Sequence, residues 1–203
     1  MEKNFTKNIE HESAKKHVTG KAIYTDDIPE PRNLLHAAIG YSNCSKGIIK
    51  KIDLKDVFNS EGVLDIISEK DINGINDVGP IFKGDKIFTS KKIEYYGQPI
   101  FAVIATSNIL AKKASLKAKI IVEELKPILT IKDAMKKKSY VLKPRFLSKG
   151  DTKNNLKKSK NILSGEVYSG GQDHFYLEGQ IAMSIPQEDD NFLVYSSTQY
   201  PSE

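Results

Sequence analysis

The stretch "KKIEYYGQPIFAVIATSNILAKKASLKAKIIVEELKP", residues 91–127, decides how this chain folds. Its first part is dense in Ile, Val, Phe and Tyr and reads as one long strand over 91–106. Gly97-Gln98-Pro99 interrupts it as a kink or an edge, because proline cannot donate to a ladder. Gln98 serves there either a ligand or a backbone partner. Ser107 then stands as an N-cap candidate, and Leu110, Ala111, Ala114 and Ala118 recur at helical spacing while the lysines between them point elsewhere. This predicts an amphipathic helix over 107–119, and "KIIVEELKP" (119–127) reads as the next strand. Strand, helix and strand in immediate succession predict a mixed α and β domain.

Working outward, "LLHAAIGYS" (34–42), "GIIKKIDL" (47–54) and "GVLDIIS" (62–68) are β-rich runs bounded by Gly, Asn or Asp and read as strands. "DDIPEPRN" (26–33) and the long "NGINDVGPIFKGD" (73–85) carry the Gly, Pro, Asn and Asp of loops, and a loop that long inside a domain is either functional or reaches a partner. A short helix is predicted in "IKDAMKKK" (131–138), its last lysines complementing the helix dipole. Beyond it, "NILSGEVYSGG" (161–171), "GQIAMSIP" (179–186) and "NFLVYSSTQ" (191–199) read as strands, the last two joined by an acidic hairpin turn at "QEDD". The sequence stops at "YPSE", directly after a strand, as an interrupted domain would.

Composition bounds the chemistry. Of 203 residues, 39% are hydrophobic and 28% charged, which suits a soluble globular chain with a real core. No apolar run approaches the roughly 18 residues of a span, and the polar start lacks the apolar centre of a signal peptide, so the cytoplasm is the expected compartment. Cys44 is the single cysteine, which excludes an internal disulfide, a C-x-x-C zinc site and an iron–sulfur cluster ligated by this chain alone. The net charge of +5 is concentrated: residues 136–160 hold ten Lys or Arg against one acid, Asp151. A nucleic-acid or acidic-partner patch and a solvated linker both fit. Lysine dominates, with only Arg32 and Arg145 in the chain, and bidentate recognition of bases and phosphate prefers Arg, so the linker is the better reading. P-loop, dinucleotide, nucleophile-elbow and zincin motifs are absent.

One polar cluster stands out, "YSGGQDHFYLEGQ" at 168–180. Gly170 and Gly171 permit unusual backbone conformations and remove two side chains, so another molecule can approach the backbone closely. Gln172 offers two donors and one acceptor without charge, suited to holding an uncharged or oxo-type atom. A β-bulge whose Gln and His satisfy backbone groups fits the same residues. His174 has no second histidine at ligand spacing, and Asp26, Asp27 and Glu30 read as turn chemistry rather than a Ca²⁺ site.

The ordered series "HESAKKHVTGKAIYTDDIPEP", "LHAAIGYS", "SKGIIKKIDL", "EGVLDIISEKDINGINDVGPI", "EYYGQPIFAVIA", "SGEVYSGGQDHFYLEGQIA" and "VYSSTQYPSE" resembles the molybdopterin-binding part of the xanthine dehydrogenase and aldehyde oxidase family across nearly the whole chain. The resemblance implies an α+β chain: an N-terminal arm over 1–19, an α/β hammerhead domain over 20–128, a linker over 129–144, and the incomplete beginning of a molybdopterin-binding domain over 145–203. It implies hydroxylation of a purine or aldehyde carbon with oxygen from water, on a molybdenum–molybdopterin cofactor. Electrons then pass to FeS and FAD groups on a partner subunit, with no nucleic acid and no membrane involved. The family's glutamine of this motif hydrogen-bonds an oxo ligand of the molybdenum, a role that falls on Gln172, with Gly170 and Gly171 giving the cofactor room. Asp173 replaces the commoner Glu. The glycine-rich cofactor loop, the substrate-binding acid and arginine and the catalytic glutamate of the family match nothing here, so the chain alone is expected to be inactive. It would need the remainder of the large subunit, or else persist as a hammerhead module for folding or interaction.

Overall fold

Phe101, 1% exposed, lies at the centre of the packing, on the strand Pro99–Ala105 inside the run 91–106 that the sequence reads as one long strand. The computed structural model describes residues 11–200; residues 1–10 of the expected arm and the end of the "YPSE" stretch, 201–203, lie outside the described residues. In chain order the elements are α1 (Ala14–Val18), β1 (His36–Tyr41), β2 (Gly47–Asp53), α2 (Lys55–Phe58), β3 (Val63–Ser68), β4 (Lys92–Ile93), β5 (Pro99–Ala105), α3 (Asn108–Ser115), β6 (Lys119–Glu124), α4 (Ile131–Lys136), α5 (Thr152–Lys158), β7 (Ala182–Pro186) and β8 (Phe192–Ser196). They fall into two compact units, residues 33–167 and residues 11–32 with 168–200.

In the 33–167 unit, successive strands alternate between two antiparallel sheets, ordered β1-β5-β3 and β4-β2-β6. The long strand expected over 91–106 is therefore two strands in two sheets. The reason lies at the break: Ser42 and Gln98 close a corner there. Ser42 N–H donates to the Gln98 carbonyl at 2.9 Å, Gln98 N–H donates to Ser42 Oγ at 3.0 Å, and Gly97 N–H donates to the Ser42 carbonyl at 3.0 Å. Gln98 Oε1 accepts from Glu94 N–H at 2.8 Å, so the buried amide serves the backbone, the second of its two sequence readings.

Apolar side chains from both sheets meet in one core: Ile49 and Ile93 from one, Ile100, Phe101 and Val103 from the other, with Val57 of α2 and Ala114 of α3. Each large aliphatic or aromatic side chain so buried contributes roughly 1.5–3 kcal/mol. β5, flanked on both sides and covered by α3, is apolar throughout because it is central. Ser107 caps α3 as predicted, its Oγ accepting from Leu110 N–H at 3.3 Å, and Ala111 and Ala114 are the buried residues of the helix.

The 73–90 segment is irregular yet tied down. Asp77 accepts from Gly79 N–H at 2.8 Å and from Gly84 N–H at 2.6 Å, which closes the loop tip and holds its carboxyl below the ordinary range. Glu69 accepts from the Ser90 hydroxyl, from Lys86 Nζ at 3.0 Å and from Asn76 Nδ2 at 3.0 Å.

α4 lies where "IKDAMKKK" predicts a helix, whereas α5 emerges inside the stretch read as a linker. Its signal is the Asp151 cap, accepting from Asn154 N–H at 3.1 Å, with Lys157 and Lys158 in the last turn. No residue of α5 is buried, so no apolar periodicity marks it.

The other unit carries the β7–β8 hairpin. Its turn has Asp189 and Asp190 both at positive φ, with Asn191 N–H donating to the Glu188 carbonyl at 3.2 Å, the geometry that suits the right-handed twist of two strands. The strand expected over 161–171 is absent: residues 161–176 have no regular structure, because alternating side chains make a strand only where a partner ladder accepts the backbone, and none of the described residues does so.

Candidate functional site

The polar cluster is built on that irregular segment. Gly170, Gly171 and Gln172 are all exposed. Neither glycine is at positive φ, and a Cβ on either would meet nothing within 4 Å. The β-bulge reading therefore fails, since there is no ladder for a bulge to interrupt. What remains is open room beside a neutral amide. Asp173 Oδ1 accepts weakly from Phe175 N–H at 3.5 Å, and Phe175 itself is at φ 46°, so the chain turns sharply just after the cluster. His174 is exposed, and among the described residues no group of three His, Cys, Asp or Glu could hold a metal.

The cluster is anchored at its far end by a contact the sequence does not announce. Glu178 Oε1 accepts from Thr25 N–H at 3.0 Å, tying the 168–180 stretch to the turn at Thr25–Asp27. In that turn Asp27 Oδ2 accepts from Tyr24 N–H at 3.0 Å, the turn chemistry predicted for the acidic loop. Glu178 carries no spacing signal; only its place at the end of a polar cluster hints at a role.

Two hollows occur in the 33–167 unit. One, about 630 Å³, is lined by Tyr41, Asn43, Tyr96, Phe101, Leu116 and Lys119. Another, about 450 Å³, is lined by Leu54, Lys55, Phe58, Asp65 and Lys70. Neither includes Gly170, Gly171 or Gln172. The donor chemistry of the cluster fits a cofactor that presents an uncharged oxygen acceptor, because the Gln172 carboxamide can donate N–H without changing charge. The open space at the two glycines admits a large group. Enclosure is not supplied by the described residues.

Two three-stranded sheets whose strands alternate along the chain thus precede the irregular Gly-Gly-Gln segment, and the comparisons identify this order as a hammerhead domain leading into the start of a molybdopterin-binding domain. Residues 19–126 match the family model of the aldehyde oxidase and xanthine dehydrogenase a/b hammerhead domain, and residues 133–203 match the molybdopterin cofactor-binding domain. The chain belongs to the aldehyde oxidase and xanthine dehydrogenase family. It is 37% identical to a xanthine dehydrogenase of Dictyostelium discoideum over 198 residues, covering 98% of this chain and 14% of that protein. It is likewise 37% identical to aldehyde oxidase 2 of Macaca fascicularis, covering 96% of this chain and 14% of the relative. Among solved structures, the aldehyde oxidoreductase of Desulfovibrio gigas superposes with a TM-score of 0.77 at 26% identity, over 91% of this chain and 23% of that one. The chain thus spans a small part of the relatives it matches. Among the described residues no helix is long and apolar enough to cross a membrane.

Proposed function

We propose that this chain is the N-terminal part of the large subunit of a xanthine dehydrogenase-like molybdenum hydroxylase, and that Gln172 forms one wall of its cofactor pocket. The observation that carries this is order: the hammerhead match at 19–126 is followed by the cofactor-domain match at 133–203, and Gly170-Gly171-Gln172 falls inside the second. The bound molybdopterin group would supply the redox chemistry for hydroxylating a purine or aldehyde carbon with oxygen from water, electrons leaving to FeS and FAD on a partner subunit. Gln172 would donate its amide N–H to an oxygen acceptor of that group, while Gly170 and Gly171 let it approach the backbone. The Glu178–Thr25 hydrogen bond would fix where the segment starts its return to the hairpin. The chain alone would turn nothing over, and in the cytoplasm it would act only with the remainder of its subunit.

The test is the assembled enzyme carrying Gln172→Ala, with molybdenum content and turnover measured together. Loss of one preorganised donor predicts a rate lower by about 10²-fold with metal content within about twofold of the parent. Unchanged turnover at full metal content sinks the role of Gln172.

A second reading has its own support. Every buried apolar side chain among the described residues lies between Ala38 and Ala114, so the hammerhead block carries the core. On this reading the block serves as a folding or interaction module without catalysis.

A further inference from the structure

Residues 24–28 fall inside the span that matches the hammerhead, 19–126, yet they belong to the compact unit that carries residues 168–200. One specific contact joins the two stretches. Thr25 N–H donates to Glu178 Oε1 at 3.0 Å, both residues being half-buried. Thr25 opens the short 3₁₀ turn Thr25–Asp27, so its N–H has no acceptor inside that turn. Glu178 supplies the acceptor, and its charge strengthens the bond. The turn that presents the donor is itself held, Asp27 Oδ2 accepting from Tyr24 N–H at 3.0 Å. The residues beside Glu178 are fastened from another side. The Gly179 carbonyl accepts from Ser197 Oγ at 2.8 Å, Ile181 N–H donates to the same oxygen at 3.0 Å, and Gln180 Nε2 donates to Tyr176 Oη at 2.6 Å. Residues 176–181 are thus a fixed point, gripped by the turn at 24–28 and by the end of the hairpin.

We infer that Glu178 is a positioning residue for Gln172, acting through the Thr25 backbone N–H. This rests on the proposed function above, in which Gln172 faces the cofactor. Gln172 lies six residues before Glu178, so the tie confines it to within about 20 Å of that point. Among the described residues, no other long-range hydrogen bond reaches 161–178. The hairpin does not need the tie. Its ladder runs from the Ala182–Ser196 pair to the Pro186–Phe192 pair, and Ser197 N–H, donating to the Ile181 carbonyl at 3.1 Å, already closes the open end. What the Glu178 bond adds therefore lies on the other side, toward Gln172. A neutral amide helps a reaction only when its N–H is aimed, so loosening this end of the segment costs rate rather than substrate affinity.

The experiment breaks the bond from each side. Glu178→Ala removes the acceptor, whereas Glu178→Gln keeps an oxygen that can accept the same N–H. Thr25→Pro removes the donor and spares the turn, because proline suits a first helical position and Tyr24 before it is extended at ψ 167°. Thr25→Ala keeps the donor. In this chain, backbone NMR order parameters over 172–177 should fall below about 0.6 in Glu178→Ala and Thr25→Pro, and should match the parent in Glu178→Gln and Thr25→Ala. In the assembled enzyme, Glu178→Ala and Thr25→Pro should lower kcat about tenfold with KM and molybdenum content within about twofold of the parent, and Glu178→Gln should restore kcat to within about twofold. With two variants breaking one bond, the test does not hang on the folding of either. Order parameters unmoved by both overturn the inference, as does a kcat that Glu178→Gln fails to restore. If both leave kcat at the parent level while Gln172→Ala lowers it, the positioning role falls and the cofactor reading stands. If Gln172→Ala has no effect, the cofactor reading falls and takes the inference with it.

Discussion

A Cβ on Gly40 would stand 2.1 Å from Phe101 Cζ, inside the core that joins the two sheets. Gly40→Ala should therefore destabilise the hammerhead unit by about 1–3 kcal/mol, seen as a lower urea midpoint, because the aromatic ring must leave its place in a close-packed interior. Adding Phe101→Leu to Gly40→Ala should recover part of the loss if the ring is the obstacle. An unchanged midpoint in the single variant would show that the ring swings away freely. Gln98 makes the same kind of point with hydrogen bonds. It is 4% exposed, and its side-chain oxygen is the acceptor for Glu94 N–H. Gln98→Leu keeps the size but leaves that donor unpaired, so we expect a loss of about 1–3 kcal/mol in chemical denaturation. A loss no larger than that of an exposed-site control would mean the corner is held by Ser42 alone. Read in sequence, Gln98 and Gln172 look alike, each a Gln beside Gly. Burial separates them, the first closing a corner and the second standing in the open.

At the scale of elements, the loop 73–90 is held by a carboxylate. The Ser90 hydroxyl, then Lys86 and Asn76, donate to Glu69 and pull its pKa from the ordinary 4.5 to about 2. Folding thus favours the ionised form. The sign follows: this contribution is fully present above about pH 4.5 and is lost as pH falls toward about 2. An NMR titration of the Asn76 side-chain amide should show its midpoint near 2, and in Glu69→Gln the transition should vanish. A midpoint near 4.5 would mean the three donors do not act on the carboxylate. The element boundaries tell the complementary story. α3 is legible because its cap, its buried alanines and its exposed lysines all agree, whereas α5 has a cap and a basic end but no buried face, so composition masks it. The expected strand at 161–171 has the alternation without the partner.

For the whole molecule, the core lies between Ala38 and Ala114 and nothing after residue 129 is buried among the described residues. Limited trypsin digestion of the isolated chain should therefore leave a resistant fragment spanning roughly residues 33–126, with early cuts at the lysines of 136–160. Early cutting at Lys50 or Lys51 of β2 or at Lys119 of β6 would sink the second reading, in which the hammerhead block folds as a module.

The sequence by itself determined the strand runs at 34–42, 47–54, 62–68 and 119–127, the helix α3 with its cap, the acidic hairpin turn and the motif order that marks the family, because these depend on neighbours a few residues apart, whereas α2 carried no such mark. Only the tertiary structure decided that 91–106 divides between two sheets, that successive strands alternate sheets, that Gln98 is structural, and that Glu178 anchors the Gly-Gly-Gln segment to Thr25. Those outcomes rest on pairings between residues as far apart as 25 and 178, and local pattern carries no record of which distant partner a strand or a carboxylate will meet.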